Sequence, residues 1–321
     1  MVVVFFGNMK HFTNPITLLW FFLALISLES CAVDKAIAAE DYWFHKAMKA
    51  EDHVVAVGVD SMAFSVLGDG ADTLVLVHGF GPYPRVQWQP VTWSLSDDMT
   101  MVVVDLLGFG QSYSPDNVIS VSSQVSAIAA VIDSLGIARA HVMGHSCGGM
   151  VAALFASLHP DQVKSLVLID PLHRHYEKSI MDSIEQAHGL GIEDILLPQS
   201  EAAFDVMKGL TIAKDVSFLP NVLKKHVVDK IYTVNQSQRQ GLLSAVERDI
   251  DQLRAEATGG NMPTALIWGE VDHLFPVATG QLLLADYPEG EFMVIAGAGH
   301  TPHLEDPWAF MRCIQGFYDG L

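Results

Sequence analysis

The chain has 321 residues, half of them hydrophobic and 17% charged, with a formal net charge of −19. Length and apolar content fit one large α/β domain with an insertion. The acidity argues against nucleic-acid binding, which needs clustered Lys and Arg to neutralise phosphates, and reads instead as a charge that serves solubility.

Near the N-terminus, Lys10 and His11 are followed, after Asn14-Pro15, by the apolar run ITLLWFFLALISL (Ile16–Leu28). That run has the length of a secretory h-region and falls short of the roughly 18 or more residues of a spanning helix. Small-residue cleavage patterns follow at Ser30-Cys31-Ala32 and Ala36-Ile37-Ala38. Residues 1–38 are therefore expected to be a targeting segment, and the mature protein to be exported, secreted or periplasmic. Met9-Lys10 is a more usual signal start than Met1. The stretch LESC also offers Cys31 for lipid attachment, although Glu29 is unusual in that motif. Membrane contact is expected only if Cys31 is lipidated or the segment is retained as an anchor.

After residue 40, strand-like and helix-like segments alternate. HVVAVGVD and MAFSVLGDG read as a strand pair with a turn at Asp69-Gly70. TLVLVHGF (73–80) and MTMVVVDLLGFG (99–110) are apolar runs ending in glycines, with WQPVTWSL a helix between them. Val121, Val125, Ile128, Ile132 and Leu135 fall at helical spacing, and that helix stops at Gly136. Next come the strand AHVMG, the helix GGMVAALFASLHP and the strand KSLVLIDP (164–171). These strands are continuously apolar rather than alternating, as parallel strands covered on both faces are.

From Leu172 to Asn261 the β-rhythm disappears, and Leu223, Val227, Ile231 and Val234 share one helical face. The rhythm then returns with PTALIWGE (263–270), EFMVIAGAGH (291–300) and a last helix bearing Phe310, Ile314 and Phe317 on one side. The expected organisation is an α/β core in two parts, 39–171 and 262–321, interrupted by a helical cap over 172–261. The fold class is a mostly parallel central sheet with helices on both faces.

The stretch HVMGHSCGGM (141–150) places Gly144, Ser146 and Gly148 at a strand-to-helix corner. A sharp turn there strains the serine backbone and demands small neighbours two residues either side. It exposes the hydroxyl at the carboxyl edge of the sheet, where α/β proteins bind ligands, and sets the Cys147 amide at a helix N-terminus. A serine hydroxyl needs a base, and the base an orienting acid. His300 and Asp272 both lie just past strands, so the order Ser146, Asp272, His300 is nucleophile, acid, base. Glu270 and Asp170 are alternative acids.

On these residues the chain resembles the α/β-hydrolase fold family, in its lidded serine esterase/lipase-like branch. The motifs VLVHGFG, VDLLGFGQS, MGHSCGG, IWGEVDHLFP and GAGHTPHLEDP fall in the family's order over about residues 53–320. The resemblance implies a second oxyanion amide just after His78-Gly79, on Phe80. It disfavours the branches with an Asp nucleophile, because Ser146 holds that place. Two features depart from the family's pattern: Cys147 follows the serine, and His78-Gly79-Phe80-Gly81-Pro82 is neither HGGG nor HGGPG.

The expected activity is cleavage of a small carboxylic ester with an apolar acyl group through an acyl-enzyme, using Ser146, His300, Asp272 and the amides of Phe80 and Cys147. Carbon–carbon bond hydrolysis, thioester or amide cleavage, and ligand sensing by a slow hydrolase are the rival activities. No cofactor, metal or nucleic-acid partner is implied, since there is no CxxC, HExxH, Walker loop or GxGxxG. The three cysteines, Cys31, Cys147 and Cys313, make no disulfide framework. Cys147 is expected to be a buried small hydrophobe, Cys313 to lie in the core and His145 to pack inside the elbow. His303 is expected to be structural and His173-Arg174-His175 to form a solvated lid entrance.

Overall fold

The computed structural model describes residues 31–81, 84–213, 221–257 and 259–321. The apolar run Ile16–Leu28 lies outside them. Among the described residues no helix is long and apolar enough to cross a membrane.

Eight strands form one sheet: β1 (Glu51–Val57), β2 (Asp60–Leu67), β3 (Asp72–Val77), β4 (Met99–Val104), β5 (Ala140–His145), β6 (Val163–Ile169), β7 (Thr264–Gly269) and β8 (Gly290–Ile295). Their order is β1-β2-β4-β3-β5-β6-β7-β8. β2 runs antiparallel to both β1 and β4, and every pair from β4 to β8 is parallel. The first hairpin turns at Gly58-Val59. Asp69-Gly70 instead lies between β2 and β3.

The continuous apolar strands are explained by burial on both faces. Val75, Val77, Val102, Val104, Val142 and Leu168 face one layer, with Val125, Ile128 and Ile132 of α3 (Val121–Ser134) and Val151 and Phe155 of α4 (Ser146–Leu158). Leu74, Leu76, Met101, Val103, Met143 and Ile169 face the other. There they meet Val91 of α2 (Gln89–Leu95) and, from the C-terminal helix (Pro307–Asp319), Phe310, Ile314 and Phe317. Cys313 is half-buried at the edge of that layer.

The N-terminal helix α1 (Cys31–Ala47) runs without a break across the 38/39 boundary expected from sequence. Phe44 anchors it in the second layer. Arg85 ties it down by pairing with Asp41 and Asp52, both at 2.9 Å, with its guanidinium 5.2 Å above the Phe44 ring.

Between β6 and β7 the described elements are all helical: α5 (Lys178–His188), α6 (Ile192–Leu196), α7 (Glu201–Thr211), α8 (Asn221–Val227) and α9 (Gln236–Glu256). The face expected from Val227 to Val234 is not continuous. A π-helical turn over Val228–Tyr232 shifts the side-chain register, so Val228 is buried and Val234 exposed. The Leu223 side chain is outside the described residues.

Candidate active site

The carboxyl ends of β5, β7 and β8 converge on one side chain each. Ser146 follows β5 directly and opens α4 with φ at +55°, the strained corner expected of an elbow. The two glycines are sterically required. A Cβ on Gly148 would lie 2.1 Å from the His78 carbonyl oxygen, and one on Gly144 would lie 2.5 Å from the Gly148 carbonyl oxygen.

The His300 imidazole bridges the other two groups. Its Nε2 lies 2.9 Å from Ser146 Oγ and its Nδ1 lies 2.8 Å from Asp272 Oδ2. The Asp272 carboxylate cannot accept from Nδ1 unless Nδ1 carries the proton, which leaves Nε2 free to accept from the serine hydroxyl. Asp272 Oδ1 accepts two backbone N–H groups, from Leu274 at 2.8 Å and Phe275 at 2.9 Å. All three residues are buried. Phe275 packs edge-on against the imidazole, with centroids 5.0 Å apart, and shields it from water.

The β3 loop approaches from the other side. A Cβ on Gly79 would lie 3.0 Å from Ser146 Cβ, so the loop reaches the nucleophile only because position 79 has no side chain. The Gly79 N–H donates to Gln87 Oε1 at 2.9 Å. His78, fully buried, donates from Nδ1 to the Gly79 carbonyl at 2.6 Å and accepts the Leu106 N–H on Nε2 at 2.9 Å. Burial pulls its pKa down to about 4, so it stays neutral and keeps both roles. Phe80 follows this clamped pair, and its ring meets Phe109 edge-on at 5.4 Å. The Cys147 amide lies in the first turn of α4, whose amides lack intrahelical acceptors. The Cys147 thiol is buried and its pKa is pushed up to about 12, which makes it a poor thiolate source.

Of the alternative acids, Glu270 points away: its Oε2 accepts the Gly297 N–H at 2.8 Å in an exposed position. Asp170, after β6, is fully buried beside Asp272. Asp170, Asp272 and His300 are the one group among the described residues that brings three atoms able to ligate a metal ion within 4.8 Å of one another. Asp272 and His300 already spend theirs on each other and on the backbone.

His145 packs inside the elbow, as expected, and also donates from Nε2 to the His300 carbonyl at 2.8 Å. The only sequence signal for that contact is its place beside the nucleophile. His303 is fully buried among His145, Trp88 and Phe310, and its pKa falls to about 3 through burial. The expected solvated lid entrance needs correction. His173 is buried, with Nε2 3.1 Å from Thr279 Oγ1, and His175 finds the carboxylate partner Asp286 at 2.8 Å. Asp286 is more than a hundred residues further along the chain, so local sequence gave no hint of it.

Residues 72–307 match the model of the alpha/beta hydrolase fold family, and the chain belongs to that family. It is 28% identical over 270 residues to an uncharacterised protein of Mycobacterium bovis, covering 80% of this chain and 78% of that one. It is 26% identical over 261 residues to a monoacylglycerol lipase of Xenopus laevis, covering 79% and 77%. The crystal structure of a membrane phospholipase A, described as a bacterial virulence factor, superposes with a TM-score of 0.77 at 24% identity, over 97% of this chain and 99% of that one.

Proposed function

We propose that the protein is a serine hydrolase of carboxylic esters with an apolar acyl group. The observation that carries this reading is the unbroken chain from Ser146 Oγ through His300 to Asp272 at a strained strand–helix corner. Ser146 Oγ attacks the ester carbonyl while His300 Nε2 takes its proton. The amides of Phe80 and Cys147 hold the negative oxygen of the tetrahedral intermediate. The carbon–oxygen bond to the alcohol then breaks as His300 returns the proton to the departing oxygen. Water, deprotonated by the same imidazole, releases the acid and restores Ser146. Asp272 holds the Nδ1–H tautomer and stabilises the imidazolium.

Support for an apolar acyl group comes from the Phe275 ring against His300 and from the Phe80–Phe109 ring pair next to the Gly79 loop that reaches Ser146. Support for an ester comes from the names of the Xenopus laevis lipase and the phospholipase. Labelling with a fluorophosphonate probe, followed by a panel of p-nitrophenyl esters from C2 to C16, tests the reading. Stoichiometric labelling of Ser146 and turnover that peaks within the series are expected. No labelling sinks the hydrolase reading. Labelling with turnover only of thioesters or amides moves the substrate class.

Export is part of the same proposal. It rests on the run Ile16–Leu28 and the small residues after it. Mass spectrometry of protein from its native host is expected to find a mature start between Cys31 and Ala39. A diacylglycerol mass on Cys31 would place it on a membrane surface, and an intact Met1 or Met9 in a soluble fraction would rule export out.

A further inference from the structure

Asp170 is a second buried carboxyl beside the triad that the reaction does not use. It sits just past β6 with φ at +39°, a left-handed backbone conformation uncommon for a residue with a side chain. Its Oδ1 accepts the Gly269 N–H at 2.9 Å. Its Oδ2 is buried, and no N–H or O–H group of the described residues reaches it. Asp272, its neighbour, collects three donors: the Leu274 and Phe275 amides and His300 Nδ1.

Two adjacent buried carboxyls cannot both ionise cheaply. The negative charge belongs where the donors are, and three of them converge on Asp272 against one on Asp170. The remaining proton belongs on the oxygen that otherwise has no hydrogen-bond partner. We propose that Asp170 carries a proton at neutral pH and donates it from Oδ2 to the Asp272 carboxylate, so that the two form an acid pair behind His300. Asp170 is thereby a positioning residue: it touches Asp272, not substrate. The groups facing it are Asp272 after β7, His300 after β8 and Glu305 on the turn Pro302–Glu305. Burial, then the charge of Asp272, pushes the Asp170 pKa well above the usual carboxylate range, and Glu305 adds to the push.

The pair has a consequence for the base. A donor on Asp272 disperses its charge and limits how strongly it favours the imidazolium. This inference deepens the triad reading and rests on it, so its test includes a readout that needs no turnover. Infrared spectra of the full chain labelled with ¹³C-aspartate, taken at pH 8, should show the C=O stretch of one protonated carboxylic acid. The other strongly raised aspartate, Asp105, has a pKa of about 6 and is ionised by then. The band should vanish in Asp170→Asn.

Asparagine keeps both contacts, its amide oxygen accepting from Gly269 and its N–H donating to Asp272. The pH profile of kcat/KM should therefore keep its acidic limb, with kcat/KM within about tenfold. Asp170→Leu removes the donor and should move that limb to higher pH with KM little changed. Absence of the protonated band in the wild-type chain overturns the proposal, and needs no variant to fold. So does a shift of the acidic limb to lower pH by about one unit in Asp170→Asn, the signature of a lost negative charge. If the chain turns out not to hydrolyse esters, the infrared result still decides the proton's position.

Discussion

The sheet edge that carries the triad and the helical cap above it are built to different tolerances. At the edge, strand ends and loops from β3 to β8 are tied to one another through buried groups: His145 to the His300 carbonyl, Gly269 to Asp170, Leu106 to His78. Backbone atoms approach so closely that a single added methyl has nowhere to go. In the cap the ties are largely exposed pairs such as Lys178 with Asp182 and Lys225 with Asp229, which contribute little in water. Its buried cation, Arg239, donates from Nη2 to the carbonyls of Tyr232 and Val234, while Nε and Nη1 find no acceptor. The reaction depends on sub-ångström placement and lives on the over-determined part.

The sharpest way to break this contrast is at the nucleophile. Ser146→Ala is expected to lower kcat by on the order of 10⁴- to 10⁶-fold with the fold intact, as circular dichroism would check. Cys147→Ala should retain most activity, because only its amide serves the reaction. The reverse pattern would falsify the assignment of the nucleophile.

Next comes the acid. Asp272→Asn should cost on the order of 10⁴ in kcat, from the wrong tautomer and an unsupported imidazolium, whereas Glu270→Gln should stay within about tenfold. Steady-state kinetics on one ester separates the two. Near-normal turnover in Asp272→Asn would mean that another carboxyl orients His300.

A pair of glycine substitutions then sets the edge directly against the cap. Gly148→Ala forces a methyl onto the His78 carbonyl and is expected to destabilise by about 1–3 kcal/mol or more. Gly209 lies exposed in the last turn of α7, with no atom of the described residues within 4 Å of an added Cβ. Gly209→Ala should stabilise by about 0.5–1 kcal/mol. Urea unfolding measures both, and equal signs would mean that the two regions are not packed differently.

The acid limb of stability offers a third comparison. His303 is held neutral, with its pKa at about 3 against 6.5 in the unfolded chain. Between those values the unfolded state binds one more proton, so stability falls as pH drops below about 6.5. His78, at about 4, acts in the same sense, and the raised Asp105 in the opposite one. His303→Phe should flatten the slope of unfolding free energy against pH between 5 and 6 by up to about 1.4 kcal/mol per pH unit.

Much of the edge was legible in the sequence because its signals are local. Gly144, Ser146 and Gly148 mark a corner because they fall between the strand AHVMG and the helix GGMVAALF, and apolar runs such as TLVLV and KSLVLI mark strands buried on both faces. The cap was less legible. The face from Val227 to Val234 obeys helical spacing, yet one π-helical turn breaks it, and a five-residue change of hydrogen-bond register leaves no trace in the pattern of apolar letters. His173 and His175 read as solvated because their partners, Thr279 and Asp286, arrive from beyond the cap.

Sequence by itself determined the order of elements, the corner that presents Ser146 and the strand ends from which a base and an acid must come. It put Asp272 first and kept Asp170 and Glu270, each also within a few residues of a strand end, as alternatives. The physical reason for that order lies in the tertiary structure. Direction and donor count are properties of folded loops: Glu270 turns out toward the Gly297 amide, Asp170 faces Asp272 with one donor, and Asp272 meets His300 with three. A carboxylate's role in a buried site follows from the donors around it, and those donors are brought together by chain segments that sequence keeps far apart.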